Sequence, residues 1–297
     1  MRDAYWGALV FLGLATGAAA IAGASASVQS AAFYQQLAGP SRRDRADAVL
    51  AAEIRAVHKE SRGRYGAPRV HAELRRKGHR HGRKRIARLM RQAGLAGRAA
   101  RRWKKTTIAD PAAAARADRI RRDFTADASK LNARWCGDIT YLRTWEGWLF
   151  LATVIDIASR RVVGFALADH LRTELVADAL ANAVAARGPD PGVIFHSDRG
   201  CQYTSAEFAS LAGDCGVVLS LGRKGQCWDN ALAESFFASL KGELTDNQAW
   251  PTRAGARRAI VEYIGWYNGT RLHSTLDYRS PAEFEASARN EALQQVA

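Results

Sequence analysis

The pattern of apolar and polar positions beyond residue 130 predicts a sheet with helices packed on it. Three strand-like runs, rich in aromatic and β-branched side chains, come first and cover residues 135–142, 148–156 and 161–167. Runs with helical and strand-like spacing then alternate over residues 173–186, 192–196, 205–215, 217–221 and 228–244. A three-stranded meander followed by alternating helices and strands predicts an α/β domain built on a mixed sheet.

Two short helices are predicted in the amino-terminal half of the chain. The first covers residues 69–77, the second covers residues 83–93, and each is stopped by a glycine. The second helix places Ile86, Leu89 and Met90 on one face and sets its arginines off that face. A pair of short helices joined by a tight turn, with Arg along the second, is typical of a helix-turn-helix.

The net charge of +15 is concentrated in one segment. Residues 61–106 carry seventeen Lys or Arg against the single acid Glu73. A solvated helical face usually mixes both signs, and it is the alternative interpretation here. Charge of one sign instead favours a phosphate-backbone partner, because each neutralised phosphate releases counterions. The segment that contains the two helices is therefore predicted to bind nucleic acid.

Three carboxylates stand at positions that favour chemistry. Asp138 lies inside the first strand among apolar and aromatic neighbours, where a solvated acid is not expected. Asp198 follows the fourth strand, at the end where open α/β sheets bind ligands, although a turn aspartate is the alternative. Glu234 lies on the helix at residues 228–244, where an exposed helical acid is the alternative. Converging carboxylates are the ligands that hard divalent cations prefer, and such cations assist phosphoryl transfer.

Other acids and several aromatic side chains compete for the same roles. Asp156 ends the second strand beside a turn and Asp229 precedes a helix, so both are predicted to be turn or capping residues. His196 and Arg199 flank Asp198, and a structural hydrogen bond is favoured for His196. The aromatic side chains of the first two strands are interpreted as core or hairpin packing rather than base-stacking platforms; they are Trp135, Tyr141, Trp145 and Trp148.

The spacing of the acids and the strings around them carry a family resemblance. Thirty-five residues separate Asp198 from Glu234. The strings are Trp-x-x-Asp-Ile-Thr-Tyr, His-Ser-Asp-Arg-Gly-x-Gln-Tyr and Asp-Asn-Ala-x-x-Glu-Ser-Phe-Phe, closed by Tyr267-Asn268, Arg271, His273 and Ser280-Pro281. Over residues 46–284 the chain resembles the second-reading-frame (OrfB) transposases of bacterial insertion sequences, whose DDE catalytic core is shared with retroviral integrases.

The resemblance implies an α/β, ribonuclease H-like core with a mixed five-stranded sheet flanked by helices, preceded by a small all-α helix-turn-helix region. It also implies that Asp138, Asp198 and Glu234 are catalytic residues that hold Mg²⁺, for which Mn²⁺ can substitute. The family has a basic residue seven positions after the glutamate, and here that residue is Lys241. Seven residues are about two helical turns, so Lys241 is expected on the face of Glu234, within reach of DNA.

The activity implied by the resemblance is metal-dependent cleavage at the ends of an insertion sequence, followed by attack of the freed 3′ hydroxyl on target DNA. Double-stranded DNA is then the substrate, and a recognition helix reads it from its amino-terminal end. The expected contacts are Arg83, Lys84, Arg85 and Arg88. The resemblance further implies a homo-oligomer on DNA and an upstream-frame (OrfA) protein, as a partner or a frameshift fusion. A DNA-binding protein without catalysis is the alternative, which the intact set of acids disfavours.

The amino-terminal segment departs from the family. Residues 4–41 contain no charged side chain, and residues 6–24 resemble a signal peptide or a marginal membrane span. Secretion makes little sense for an enzyme that cuts DNA, so we disfavour membrane insertion and expect a cytoplasmic, nucleoid-associated protein. The predicted parts of the chain are an apolar leader (1–40), a basic helix-turn-helix region (41–106), a linker (107–130) and an integrase-type catalytic core with C-terminal helices (131–290).

Overall fold

The computed structural model describes residues 40–98, 117–222, 230–245 and 249–296 of the 297-residue chain. The strands are β1 (Arg134–Thr144), β2 (Gly147–Asp156), β3 (Val162–Ala168), β4 (Ile194–Ser197) and β5 (Val218–Leu221). The helices are α1 (Arg42–Glu60), α2 (Ala67–Arg76), α3 (Arg83–Gln92), α4 (Thr173–Arg187), α5 (Cys201–Thr204), α6 (Ala206–Asp214), α7 (Ala231–Leu240), α8 (Arg253–Gly269) and α9 (Pro281–Val296). One π-helical turn, Lys241–Thr245, continues directly from α7.

The five strands form one mixed sheet in the order β3-β2-β1-β4-β5. β1 pairs with β2 and β2 with β3 in antiparallel fashion, whereas β1 pairs with β4 and β4 with β5 in parallel. The long β1 is therefore the central strand and has neighbours on both sides. The sheet confirms the five-stranded mixed arrangement that the sequence predicts.

Helices cover both faces of the sheet because the strands are apolar on both faces. On one face, Leu149, Leu151 and Ile155 of β2 share a core with α7 and α8. On the other face, Ala152 and Val154 of the same strand share a core with α4 and α6. Successive residues of a strand point to opposite faces, so β2 contributes to both cores in alternation.

The basic helices form a small separate core. Leu50 and Ile54 of α1, Leu74 of α2 and Ile86 of α3 are buried together, and Leu272 from beyond α8 completes the cluster. The two predicted helices are present, and the structure adds α1, which the sequence reading did not identify. α1 begins with a capping box in which Ser41 and Asp44 exchange side-chain hydrogen bonds with each other's backbone.

The helical region is attached to the α/β domain through the segment that follows α8. The Tyr65 hydroxyl donates to the Thr270 carbonyl at 3.3 Å and accepts from the Leu272 N–H at 3.0 Å. The Arg69 Nε donates to the Leu272 carbonyl at 3.0 Å. These bonds hold the helix-turn-helix against the carboxyl-terminal part of the fold.

The helix that bears Glu234 is shorter than the sequence predicts. The prediction covers residues 228–244, whereas α7 is Ala231–Leu240 and the last residues form the π-helical turn. Residues 228 and 229, with Asp229 among them, lie outside the described part of the chain. So do residues 6–24 and residues 107–116 of the predicted linker, so the expectations for those segments and for the domain boundaries stay predictions. None of the helices in the described ranges is both long and apolar enough to cross a membrane.

Candidate active site

Asp138 and Asp198 come together because β1 and β4 are adjacent and parallel. Cys136 of β1 is in register with His196 of β4, and each aspartate lies two residues beyond its member of that pair. Gly137 lets β4 approach, because a Cβ at that position would lie 2.2 Å from the Phe195 ring. Both acids therefore lie where β4 ends beside β1.

Local hydrogen bonds orient each aspartate. The Asp138 Oδ1 accepts the N–H of Ile139 at 2.8 Å, and the Asp198 Oδ1 accepts the N–H of Gly200 at 3.0 Å. The bond to Gly200 is the turn contact that was the alternative interpretation of Asp198. Asp198 therefore forms the turn contact and also lies near Asp138.

Glu234 joins the aspartates from the first turn of α7. The amino-terminal end of this helix is attached to β1, because the side-chain amide of Asn230 donates to the Gly137 carbonyl at 3.3 Å. Ala233 and Phe236 face the core, whereas Glu234 is exposed. The helix therefore presents Glu234 on its solvent side, one turn from the contact with Gly137.

The three acids form one electrostatic cluster. Burial raises the pKa of Asp138 well above its ordinary value, and the charges of Asp198 and Glu234 raise it further. Burial also raises the pKa of Asp198, and burial together with Asp198 raises that of Glu234. Carboxylates that repel one another in this way are stabilised by a divalent cation between them.

Lys241 belongs to this cluster. Burial lowers the pKa of its ammonium, while the nearby charge of Asp138 acts in the opposite direction. Its Nζ lies 5.4 Å from the centre of the Tyr141 ring, a cation–π contact across β1. The lysine that the sequence placed on the face of Glu234 is therefore beside Asp138.

We expect Asp138→Asn to stabilise the folded protein in the absence of divalent metal. The raised pKa means that ionisation of Asp138 costs free energy in the folded state above the ordinary aspartate pKa of about 3.9, so a neutral side chain removes that cost. Thermal unfolding in EDTA should show a higher midpoint for the variant than for the wild-type chain at about pH 8. The two midpoints should become equal at about pH 3, where the carboxyl group is protonated in both states. A lower midpoint at the higher pH would contradict the electrostatic description of the site.

The predicted DNA contacts on α3 divide into two pairs. Arg83 and Lys84 are exposed at its amino-terminal end. Arg85 and Arg88 instead form ion pairs with Asp47 of α1, at 2.6 Å and 2.5 Å. Hydrogen bonds from Arg88 and Arg85 lower the pKa of Asp47. The sequence pattern does not predict a role for Asp47. In the structure, Asp47 joins α3 to α1 through these ion pairs.

The competing residues have structural roles. Asp156 is buried and accepts the N–H groups of Asn132 at 2.7 Å and Ser159 at 2.8 Å, which confirms its interpretation as a turn residue. His196 is buried, and its Nδ1 lies 2.9 Å from the Ser220 hydroxyl, the structural hydrogen bond that was expected. The Arg199 Nε donates to the Gly222 carbonyl at 2.8 Å.

A second group of potential metal ligands lies in the helical region. Among the described residues, Glu53, His79 and His81 form the one such group whose ligand atoms all lie within 4.8 Å of one another. The Nδ1 of His79 is 3.2 Å from the Glu53 Oε2, and that buried oxygen has no hydrogen-bond partner among the described residues. We interpret the contact as one that holds the turn between α2 and α3 against α1, because the strongly basic segment around it disfavours a bound cation.

The sequence reading assigned no role to Glu243, which is a buried carboxylate in the π-helical turn after Lys241. Arg271 donates to both of its oxygens, at 2.7 Å and 2.9 Å, and the Tyr263 hydroxyl donates at 2.9 Å. Arg69 of α2 lies 3.6 Å away. Arg271 is part of the family string in the sequence, but its partner is 28 residues distant and cannot be read from spacing.

The aromatic side chains of β1 and β2 differ in burial. Trp135 is fully buried, which confirms its interpretation as core. Tyr141 and Trp148 contact each other edge to face across the hairpin at 5.5 Å, as hairpin packing predicts. Both remain largely exposed, and Trp145 at the turn is more exposed still. Hairpin packing therefore accounts for only part of their surface.

Comparison with known proteins agrees with this arrangement. Two models described as an integrase core domain match residues 128–227 and 215–281, and a model described as an HTH-like domain matches residues 44–103. The α/β domain is therefore a DDE-type integrase core, the core of a polynucleotidyl transferase. Such a core implies use of a divalent metal and action on DNA.

Named relatives identify the family within that class. The chain is 39% identical over 247 residues to the transposase for insertion sequence element IS904 of Lactococcus lactis, covering 83% of this chain and 97% of that protein. It is 36% identical to the IS629 transposase of Shigella sonnei, covering 82% and 81%, and 38% identical to transposase InsF for IS3A of Escherichia coli, covering 78% and 80%. The chain belongs to this family of insertion-sequence transposases.

Solved structures similar to this chain include a retroviral integrase core and an intasome. The HTLV-2 integrase catalytic core domain in complex with magnesium aligns with 18% identity and a TM-score of 0.41, over 52% of this chain and 97% of that one. The simian T-cell lymphotropic virus intasome aligns with 16% identity and a TM-score of 0.46, over 78% and 74%.

Proposed function

We propose that this transposase cuts DNA at the ends of its own insertion sequence and joins the freed 3′ hydroxyls to target DNA, with Asp138, Asp198 and Glu234 as the catalytic residues. The observation that carries the proposal is the register of β1 and β4, which sets the two aspartates side by side at one edge of the sheet. The charges of Asp198 and Glu234 raise the pKa of Asp138, and that of Asp198 raises the pKa of Glu234, which supports the same grouping.

The donor set fits a hard divalent cation. All three groups are carboxylates, which suits Mg²⁺, and Mn²⁺ accepts the same ligands. We propose that Asp138, Asp198 and Glu234 hold Mg²⁺ in the cell. When bound, the cation would supply charge neutralisation and Lewis acidity at the scissile phosphate.

The protein's own contribution is positioning. Two acids are fixed on paired strands and the third on a helix bonded to one of those strands, so little reorganisation is needed when DNA arrives. Lys241 lies beside Asp138, where its ammonium can bind a non-bridging phosphate oxygen. Water attacks the phosphodiester at the element end first, and the 3′ hydroxyl released by that step attacks the target phosphodiester second.

A cleavage assay tests the proposal. Duplexes labelled at the 5′ end and carrying the terminal sequences that flank the gene would be incubated with the chain in Mg²⁺, in Mn²⁺ and in EDTA, with and without the upstream-frame protein. We expect a cut at the element boundary that leaves a 3′ hydroxyl and requires metal. Equal cutting in EDTA, or binding without cutting under every metal condition, would contradict the proposal.

We propose that Arg83 and Lys84 contact the DNA backbone from the amino-terminal end of α3. Their exposure supports this, whereas Arg85 and Arg88 divide their charge between DNA and Asp47. Because the chain must act at two DNA ends, we propose that it works as a homo-oligomer on DNA. We also propose an upstream-frame protein as its partner, either separate or joined to it as a fusion. Such a protein works in the cytoplasm, on the nucleoid.

The Arg83→Ala/Lys84→Ala double variant is expected to bind duplex DNA more weakly at every sequence. Two lost phosphate contacts should also reduce the salt dependence of binding by about 0.9 per phosphate, measured as the slope of log K against log salt concentration. The thermal midpoint should not change, because neither side chain is buried. Arg88→Ala is the comparison, and it should lower the thermal midpoint because it removes one of the two arginines that pair with Asp47. An unchanged salt slope in the double variant would show that these residues do not face DNA.

A further inference from the structure

Exposed aromatic side chains are confined to one hairpin in the described part of the chain. Tyr141, Trp148 and Trp145 keep 45%, 50% and 77% of their surfaces exposed, and the other large exposed apolar residues in those ranges are aliphatic. Tryptophan and tyrosine usually bury most of their surface, because that burial is favourable. A cluster of them in solvent indicates a surface that is covered when the protein works.

This cluster is continuous with the catalytic site. Tyr141 is three residues beyond Asp138 on β1 and points to the opposite face of the sheet, so the connection runs through Lys241. Lys241 follows the helix that bears Glu234, and its Nζ lies 5.4 Å from the centre of the Tyr141 ring. Trp148 of β2 packs edge to face against Tyr141 at 5.5 Å. Trp145 occupies the turn between the two strands. The aromatic surface therefore runs from Lys241 to the tip of the hairpin.

The hairpin tip is held in place by neighbouring segments. The Trp145 N–H donates to the Trp250 carbonyl at 2.8 Å, and the Thr144 hydroxyl donates to the Gly147 carbonyl at 2.6 Å. The Glu146 carboxylate accepts the backbone N–H of Arg253 at 2.7 Å. A platform fixed in this way loses little conformational freedom when a ligand binds, which favours a recognition role.

Basic side chains lie among the aromatic rings of the hairpin. Arg143 is exposed and is in register with Trp148 across the hairpin, and the Arg253 Nε donates to the Trp148 carbonyl at 3.3 Å. Lys241 is at the end nearest the acids. Alternating aromatic and cationic groups suit unpaired nucleotides, which offer flat bases to stack on rings and phosphates to pair with cations. The core of a protein–protein interface is instead depleted of charge.

We propose that Tyr141, Trp145 and Trp148 form a stacking platform for unpaired DNA bases beside the phosphodiester that reacts. The inference rests on the proposed function for the location of the reacting phosphodiester, but the platform's preference for unpaired bases can be measured without catalysis. Bases next to the cut are held out of the duplex on the aromatic rings, while Arg143 and Lys241 bind the phosphates between them.

The test uses binding in EDTA, so that no DNA is cut. Two labelled duplexes of equal total charge are compared, one fully paired and one with a short unpaired overhang that contains 2-aminopurine, whose fluorescence is quenched on stacking. The wild-type chain should bind the overhang duplex more tightly and quench its probe. Trp148→Ala and Trp145→Ala should lose roughly tenfold in affinity for the overhang and lose the quenching, with little change for the paired duplex.

The control variant is Val261→Ala, which trims another exposed apolar side chain on α8. It should leave both affinities unchanged. Equal losses on paired and unpaired DNA, or no loss for either tryptophan variant, would overturn the platform. A change in sedimentation of the tryptophan variants without DNA, with overhang binding intact, would show instead that the hairpin contacts a second copy of the chain. Failure of the wild-type chain to cut DNA would count against the proposed function alone.

Discussion

Replacing Asp198 by asparagine is expected to lower the rate of DNA strand transfer by at least about 10³-fold, because charge neutralisation at the scissile phosphate is the largest catalytic contribution in such a site. The substitution is nearly isosteric and keeps an oxygen that can accept the Gly200 N–H. The fold should therefore survive. Thermal unfolding without metal should be unchanged or shifted upward, because burial raises the pKa of Asp198 and its ionised form is penalised in the folded state.

Asp156→Asn is the matched control for Asp198→Asn. Asp156 ends β2 and is also a buried acid of the α/β domain, but its oxygens accept the N–H groups of Asn132 and Ser159 within a turn. This variant should retain strand transfer per folded molecule. Its stability reflects two opposed effects, because one amide oxygen cannot accept both N–H groups, whereas removing a carboxylate whose pKa is raised by burial is favourable. The reverse pattern, with activity lost at residue 156 and kept at residue 198, would mean that the cluster at the edge of β1 and β4 is not the reaction centre.

The largest loss of stability is expected at Glu243. Glu243→Gln leaves the buried guanidinium of Arg271 without its charge partner, and breaking a buried pair from one side costs about 3–5 kcal/mol. Urea denaturation in EDTA measures the change in the free energy of unfolding. Tyr263→Phe removes a single hydrogen bond to the same carboxylate and should cost only about 1 kcal/mol. Similar small losses for both variants would show that the Glu243 pair contributes little.

Glu285→Gln is the control that separates the effect of Glu243→Gln on stability from its effect on strand transfer. Glu285 is as deeply buried as Glu243 and pairs with Arg161 at 2.6 Å and Arg187 at 2.8 Å, but it lies on α9. Both variants should lose stability. Glu243→Gln should also lower strand transfer per folded molecule, because Glu243 belongs to the π-helical turn that begins with Lys241. Equal activity of the two variants would make the Glu243 pair purely structural.

Glu243 also connects the catalytic helix to the basic helices. Its carbonyl accepts hydrogen bonds from Arg64 at 3.3 Å and Arg98 at 3.2 Å, and its carboxylate lies 3.6 Å from Arg69. Arg64 and Arg69 belong to the segment whose charge predicts DNA binding. Part of the positive charge that was interpreted as a DNA surface is therefore used inside the protein to hold its two parts together.

The sheet and its acids could be predicted from the sequence because both depend on local pattern. Runs rich in aromatic and β-branched side chains mark β1 and β2, and the spacing of Asp198 and Glu234 with the strings around them singles out the candidate acids through the family resemblance. α1 was not predicted, although Leu50, Ile54 and Val57 of that helix are buried at helical spacing. Its apolar face is narrow, and only packing against α2, α3 and Leu272 shows which residues it buries.

Contacts between distant segments could not be predicted. Asp47 pairs with arginines about 40 residues away on α3, and Glu243 gathers residues from α2, α8 and the segment beyond it. Each of these side chains reads as an ordinary surface charge when taken alone. The exposure of Tyr141 and Trp148 could not be predicted either, because a hairpin pattern shows which residues pair across the strands but not which segments cover them.

The central claim is that the three acids form a metal-dependent site that joins DNA strands. The most direct measurement supplies labelled element ends already cut to a 3′ hydroxyl, with a plasmid target, Mg²⁺ or Mn²⁺, and the upstream-frame protein, and compares the wild-type chain with Glu234→Gln. We expect joined products that require metal and disappear in Glu234→Gln while end binding persists. Joined products that persist in Glu234→Gln, or that form in EDTA, would contradict it.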